Sequence, residues 1–238
     1  MTGREQAELS WRDGAIPVST RFDDPYFSLA GGLEETFHVF LSGNDLPARL
    51  TPGFHVAELG FGTGLNLIAL HLSAPGLPLR FTTFEGFPMT APEMARAHRA
   101  FPQAAAVSAP LLDAWGQGAR AFDFHGIAVT VLQGDVRQTL PAWGGRADAW
   151  FLDGFSPAKN PEMWGEDLMA QVASHTAPGG TFATYTAAGH VRRALSAAGF
   201  VVERRPGFGT KRHMSAGRMP GLAGPRAQSA EPPSDKLP

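Results

Sequence analysis

An α/β fold on a mostly parallel sheet follows from three features of the 238-residue chain. From Val56 onward, short β-rich runs alternate with helical stretches, a glycine-rich turn joins the first such strand to its helix, and successive strands end at carboxylates. The first strand is Phe54 to Leu59, and the turn Gly60-Phe61-Gly62-Thr63-Gly64 opens the apolar helix Leu65 to Leu72. The second strand, Leu79 to Phe84, ends at Glu85. Pro92 then sits in the first turn of a helix Glu93 to Ala100, where a missing N–H leaves no bond unmade. Ile127 to Leu132 is the third strand and runs out to Asp135, and Ala147 to Leu152 is the fourth, ending at Asp153. A helix Met163 to His175, a turn at Pro178-Gly179-Gly180 and a strand Thr181 to Tyr185 make the fifth unit. His190 to Ala198 reads as a helix, and Phe200 to Arg204 with His213 to Arg218 as a closing antiparallel pair. The whole is Rossmann-like.

Two flanks depart from this rhythm. Residues 1–50 are acidic and carry irregularly spaced aromatics (Trp11, Phe22, Tyr26, Phe27, Phe37, Phe40), which predicts an N-terminal cap over one side of the sheet. Residues 51–219 form the Rossmann-like domain, and residues 220–238, rich in Pro, Ala, Gly and Ser, read as a disordered tail.

Composition excludes several chemistries. With no cysteine there is no disulfide framework, thiolate metal site or cysteine nucleophile, and no metal is expected. No apolar run is long enough to span a bilayer and the first residues lack a signal peptide's apolar core, so the expectation is a cytoplasmic protein without a membrane partner. The net charge of −2 conceals an uneven distribution: residues 187–219 hold seven Lys/Arg against one Asp/Glu, a net of +6. Such a segment is either a phosphate-binding face or an ordinary solvated helix and hairpin.

Glu58 stands just ahead of the turn, and the spacing Gly60, Gly62, Gly64 differs from the dinucleotide pattern in which a helix N-terminus receives a pyrophosphate. A carboxylate there would repel pyrophosphate; it suits a ligand with a cationic amine and a sulfonium. Phe61, Thr63 and Asn66 belong to the same turn and helix start. Glu85 stands where an acid can accept hydrogen bonds from ribose hydroxyls, and Asp135 where one can bind an adenine amino group. Each acid alone reads equally as a strand-end or capping carboxylate. Together they form a constellation, because ligands of open α/β sheets bind beyond the carboxyl ends of the strands. An NAD-dependent oxidoreductase would share the ribose acid.

The stretch Leu152-Asp153-Gly154-Phe155-Ser156-Pro157-Ala158-Lys159-Asn160-Pro161-Glu162-Met163-Trp164 delivers an acid into a restrained loop with an aromatic two residues later. Methyl transfer to nitrogen needs a free lone pair aimed at the methyl carbon, and Asp153 could hold such an amine and take its proton. Phe155 or Trp164 could stack on a planar base, worth about 1–3 kcal/mol, and Lys159 could contact phosphate. The bland alternatives are a loop-ordering acid, packed aromatics and a surface lysine.

These residues resemble the methyltransferase domain of the MnmC family and its standalone MnmD relatives, over nearly everything from Trp11 to Met219. The motifs are Asp23-Asp24-Pro25-Tyr26-Phe27-Ser28, Glu35-Thr36-Phe37-His38-Val39-Phe40, Glu58 to Asn66, Leu152 to Pro161, Thr184-Tyr185-Thr186-Ala187-Ala188-Gly189 and Gly207-Phe208-Gly209-Thr210-Lys211-Arg212. The resemblance implies a class I S-adenosyl-L-methionine-dependent enzyme. It would methylate the exocyclic amine of 5-aminomethyl-(2-thio)uridine at the tRNA wobble position. It places Glu58, Gly60, Gly62 and Gly64 on the cofactor's methionine part, Glu85 on its ribose, Asp135 on its adenine side and Asp153 beside the amine. A tRNA substrate would give Arg192, Arg193, Arg204, Arg205, Lys211 and Arg212 phosphates to neutralise. The family's bifunctional members continue into an FAD-dependent oxidase, whereas here a Pro-rich tail follows, so flavin is not expected. The substrate amine then comes from another route or from a separate oxidase chain. The competing reading within the same fold is methylation of a small amine or a protein side chain.

Overall fold

In the computed structural model, which describes residues 6–28 and 31–221, eight strands form one twisted sheet and three more form a small sheet of their own. Of the expected tail, residues 222–238 lie outside the described residues. The small sheet is β1 (Leu9–Arg12), β2 (Ile16–Ser19) and β3 (Asp24–Pro25), all antiparallel. The main sheet holds β4 (His55–Leu59), β5 (Leu79–Glu85), β6 (Ala121–Phe124), β7 (Ile127–Gln133), β8 (Ala147–Leu152), β9 (Thr176–Thr184), β10 (Val201–Pro206) and β11 (His213–Arg218). Its order is β10-β11-β9-β8-β4-β5-β7-β6, with β7, β5, β4, β8 and β9 parallel and β6, β11 and β10 antiparallel to their neighbours.

The parallel strands are buried on both faces, and side-chain alternation sorts them into two cores. Val56, Phe81, Ala149 and Phe151 face one core with Leu67, Ile68 and Leu70 of helix α2 (Leu65–Ser73), while Ala57, Leu59, Trp150 and Leu152 face the other. The same alternation turns Glu58 toward α2, where an acid has no solvent to meet.

Short helix α1 (Gly32–Thr36) continues through a π turn, Phe37–Leu41, onto the first core. Phe40 lies 5.6 Å from Phe151, and Asn44 donates to the Trp150 carbonyl at 3.2 Å, so this part of the N-terminal segment covers one face of the sheet. Helix α3 (Ala91–His98) begins with a capping box in which the Glu93 carboxylate accepts from the Thr90 N–H at 2.8 Å. Helices α4 (Pro102–Val107) and α5 (Ala109–Gly116) follow, then α6 (Val136–Ala142), α7 (Glu166–Ser174) and α8 (Gly189–Ala197).

Helices α4, α5 and α6 and the small sheet are absent from the expected elements, and three further elements differ from expectation. Strand β6 forms a hairpin with β7 through His125 and Gly126, both at positive φ as a tight two-residue hairpin turn requires; at four residues, Ala121-Phe122-Asp123-Phe124, it is too short to give a clear strand signal in the chain. Pro178-Gly179-Gly180 lies inside β9 rather than ahead of it, at an irregularity in the pairing with β8. The helix expected from Met163 begins at Glu166, because Pro161–Trp164 winds as a separate 3-10 turn.

Candidate active site

Beyond the carboxyl ends of β4, β5, β7 and β8 lies a cavity of about 1190 Å³. The strand ends and the Gly60–Gly64 turn form its floor, and Phe22, Tyr26 and Glu35 from the N-terminal segment close over it. Gly60 has φ of +91°, and a Cβ there would stand 2.7 Å from the Asp153 carbonyl oxygen. Only glycine lets the ends of β4 and β8 approach this closely. Tyr26 packs on Gly62, and Phe61 stacks on Trp115 at 4.9 Å between ring centres. His98 is hydrogen-bonded to the Thr63 carbonyl at 2.8 Å, which anchors the turn from behind.

Glu85 lines this floor. One of its oxygens accepts from the Gly62 N–H at 2.8 Å and the other from the Phe87 N–H at 2.7 Å. Burial pushes its pKa up, and the backbone donors pull it back. The backbone N–H groups of Phe61 and Gly86 also favour its charged form.

Asn66 is the hub of the floor. Its amide donates to Glu58 Oε1 at 2.8 Å and to Asp153 Oδ2 at 2.7 Å, and its oxygen accepts from the Thr36 hydroxyl at 3.0 Å. The second Glu58 oxygen accepts from the Thr83 hydroxyl at 2.7 Å. One oxygen of Asp153 is thereby fixed. Burial raises the Asp153 pKa to about 7, with the Asn66 bond and Lys211 opposing and Glu35 adding to the rise.

Of the residues singled out from sequence, the structure brings Gly60, Phe61, Gly62, Thr63, Asn66, Glu85, Asp135, Asp153, Phe155, Lys159 and Lys211 to the cavity wall. Gly64 is one step removed, as the left-handed N-cap of α2. Glu58 is fully buried and does not line the cavity; its carboxylate orients Asn66 instead of meeting a ligand, and burial pushes its pKa well up. Asp135 caps α6, accepting from the Arg137 N–H at 2.9 Å, and pairs with the Arg137 guanidinium at 2.7 Å, which holds its pKa down.

Three polar or aromatic expectations need correction. Trp164 is 2% exposed and its indole N–H donates to the Phe155 carbonyl at 2.8 Å, so it braces the loop and offers no face to a base. Phe155 reaches the cavity, but Phe22 stacks on it at 4.9 Å and Tyr26 meets it edge-on. Lys159 is engaged by the Asp23 carbonyl and carboxylate and lies 3.8 Å from Asp24, so it is not a free phosphate contact.

The basic segment divides. Arg205 is paired with Glu203 at 3.2 Å and Asp45 at 3.5 Å. Lys211 leaves the surface group altogether: its ammonium meets Glu35 at 2.7 Å and sits 4.2 Å from the centre of the Tyr185 ring. Among the described residues, Arg192, Arg193, Arg204 and Arg212 form no ion pair. Desolvation lowers the His213 pKa, and Arg204, Arg212 and Arg192 lie close enough to lower it further.

The reading of the chain assigned no role to Asp24, Tyr26, Glu35, Thr36 or Tyr185, although each lies in a quoted motif. Asp24 accepts from the Ser156 N–H at 2.8 Å and so ties the N-terminal segment to the Asp153 loop. Tyr185 donates to the Gly154 carbonyl at 2.7 Å. Their distance in sequence from the strand ends hid them, and only the fold brings them together.

A family described as S-adenosyl-L-methionine-dependent methyltransferase matches residues 102–220, half of the chain. The chain belongs to this methyltransferase family. A protein of Caulobacter sp. (strain K31), named tRNA 5-methylaminomethyl-2-thiouridine biosynthesis bifunctional protein MnmC, is 47% identical over 94% of this chain. A protein of the same name from Chromobacterium violaceum is 46% identical over 89%. The chain spans 40% and 34% of those two relatives' lengths. Among solved structures, MNMC2 from Aquifex aeolicus has a TM-score of 0.69 at 24% identity, covering 93% of this chain and 74% of that one, which is a likeness of fold. The methyltransferase cavity fits S-adenosyl-L-methionine by its chemistry: a floor that only glycine permits, a carboxylate at Glu85 that lines the wall, and a volume ample for a nucleoside-sized ligand. Among the described residues no helix is long and apolar enough to cross a membrane, and no group of three or more His, Asp or Glu is arranged to hold a metal.

Proposed function

We propose that this methyltransferase modifies tRNA in the cytoplasm, converting the exocyclic amine of 5-aminomethyl-(2-thio)uridine at the wobble position to its methylamino form. The observation that carries the reading is the Asp153 carboxylate, held by Asn66 at the cavity wall with one oxygen left for an amine. S-adenosyl-L-methionine, when bound, supplies a methyl group on a sulfonium.

In this proposal Glu85 accepts hydrogen bonds from the ribose, the Gly60–Gly64 turn with Phe61 and Thr63 admits the methionine part, and Asp135 with Arg137 borders the adenine. Asp153 accepts a hydrogen bond from the substrate amine, aims its lone pair and takes the proton that the nitrogen releases. A carboxyl with a pKa near 7 is well matched to accept that proton near neutral pH. Phe155 flanks the base on the side away from Phe22.

Arg192, Arg193, Arg204 and Arg212 then neutralise anticodon-arm phosphates. Arg212 directly follows Thr210 and Lys211 of the cavity wall, so the basic face and the cavity are continuous. Support comes from the relatives, which are named for tRNA 5-methylaminomethyl-2-thiouridine biosynthesis and are longer chains. The substrate amine is supplied either by an FAD-dependent oxidase, for which a separate chain is one candidate, or by another route.

Nucleoside mass spectrometry of tRNA from a deletion strain tests the proposal. Unmethylated aminomethyl uridine should accumulate at the wobble position, and a wild-type nucleoside profile would contradict it.

A further inference from the structure

We propose that the Glu35 carboxylate and the face of Tyr185 are the receiving site for the substrate's ammonium group, and that Lys211 occupies this site until the substrate displaces it. The inference rests on the tRNA reading for the identity of the amine, but its geometry stands apart from it.

Lys211 carries a primary ammonium on a flexible stem, the same head group that an aminomethyl base presents. Its nitrogen lies 2.7 Å from Glu35 Oε1 and 4.2 Å from the Tyr185 ring centre. The acid is the buried partner: the Glu35 side chain is 10% exposed, whereas that of Lys211 is 41% exposed and reaches in from the rim. Tyr185 cannot turn away, because its hydroxyl is fixed on the Gly154 carbonyl beside Asp153. Glu35 is also linked to the reacting end of the cavity, since its neighbour Thr36 hydrogen-bonds the Asn66 that holds Asp153.

A carboxylate and an aromatic face are the two groups that bind an ammonium most strongly when water is excluded. A buried carboxylate without a counter-ion is unfavourable, and a resident lysine relieves that cost in the empty enzyme. When the substrate's ammonium takes its place, one cation replaces another and the charge of the site is unchanged. Lys211, already 41% exposed, then swings out toward solvent at the rim. Plain uridine brings no cation and cannot make the exchange. An amine that carries its own carboxylate meets Glu35 and Asp153 as like charges. The device thus selects an unsubstituted aminomethyl group before Asp153 acts on it.

The test measures binding of two anticodon stem–loops, one with 5-aminomethyluridine and one with uridine, to the wild type, Lys211→Met and Glu35→Gln. The wild type should prefer the modified stem–loop. Removing the competitor in Lys211→Met should widen that preference roughly tenfold, and Glu35→Gln should narrow it by roughly the same factor. Equal weakening of both stem–loops in Lys211→Met, as for a plain phosphate contact, would overturn the proposal, and so would a preference that Glu35→Gln leaves undiminished. Failure of the wild type to methylate the modified stem–loop would instead sink the tRNA reading. The amine site is then read with n-propylammonium by protein NMR: binding to Lys211→Met and not to the Glu35→Gln/Lys211→Met double variant supports it, and equal responses refute it.

Discussion

The acidic floor of the cavity and the basic face formed by α8, β10 and β11 both stand out in the sequence as charge, yet they are held in opposite ways. Glu58, Glu85 and Asp153 are bonded by buried donors that leave little choice of rotamer. Arg193, Arg204 and Arg212 are exposed and form no ion pair among the described residues, and β10 is an edge strand, where charge also discourages pairing with another chain. A fixed charge can direct a single bond, whereas a mobile one can only raise local potential. On the proposed function, the floor would serve the chemistry and the basic face the attraction of tRNA.

If that contrast holds, substitutions on the floor should have large and separable effects. Asp153→Ala should lower the single-turnover rate by about 100-fold or more while calorimetry finds cofactor affinity nearly unchanged. A wild-type rate would remove Asp153 from the mechanism. Glu85→Ala should instead weaken cofactor binding by about 1.5–3 kcal/mol, through loss of charge-assisted hydrogen bonds and of the anchor for Gly62. Unchanged affinity would show that the acid serves only the turn.

The basic face should respond more gently and with salt. Reversing Arg204 and Arg212 to Glu should weaken tRNA binding roughly tenfold at moderate ionic strength and flatten its salt dependence. Arg205→Glu should do less, because Arg205 already spends its charge on Glu203 and Asp45. Equal effects from both changes would erase the distinction drawn between paired and unpaired arginines.

An effect on stability is also expected, and its sign follows from the Asp153 pKa of about 7, above the ordinary value near 3.9. The folded state binds this proton more tightly than the unfolded chain, so ionisation of Asp153 opposes folding increasingly as pH rises from about 4 to 7. Asp153→Asn should therefore melt higher than the wild type at pH 8, with the difference shrinking toward pH 4. A difference that grows on acidification would mean that the carboxylate is stabilised in place.

Much of this was legible in the chain because glycines and strand-end acids answer to one local constraint. The Gly60 turn needs positive φ and close approach to β8 wherever it occurs, and the alternation of β4 and β8 fixes which side chains meet the core. What the chain concealed depends on distant partners. Nothing near Glu58 reveals that Thr83 and Asn66 would bury and bond it, and nothing near Trp164 reveals that its N–H is spent on Phe155. A run of basic residues likewise counts Arg205 and Lys211 with the free arginines, although Asp45 and Glu35 claim them from the N-terminal segment.

A crystal structure with S-adenosyl-L-homocysteine bound tests the central claim most directly. The account predicts ribose hydroxyls on Glu85, the amino-acid part over Gly60–Gly64 and the sulfur facing the Asp153 side of the cavity. A ligand seated outside this cavity, or one that leaves Glu85 bonded only to its own backbone donors, would contradict it.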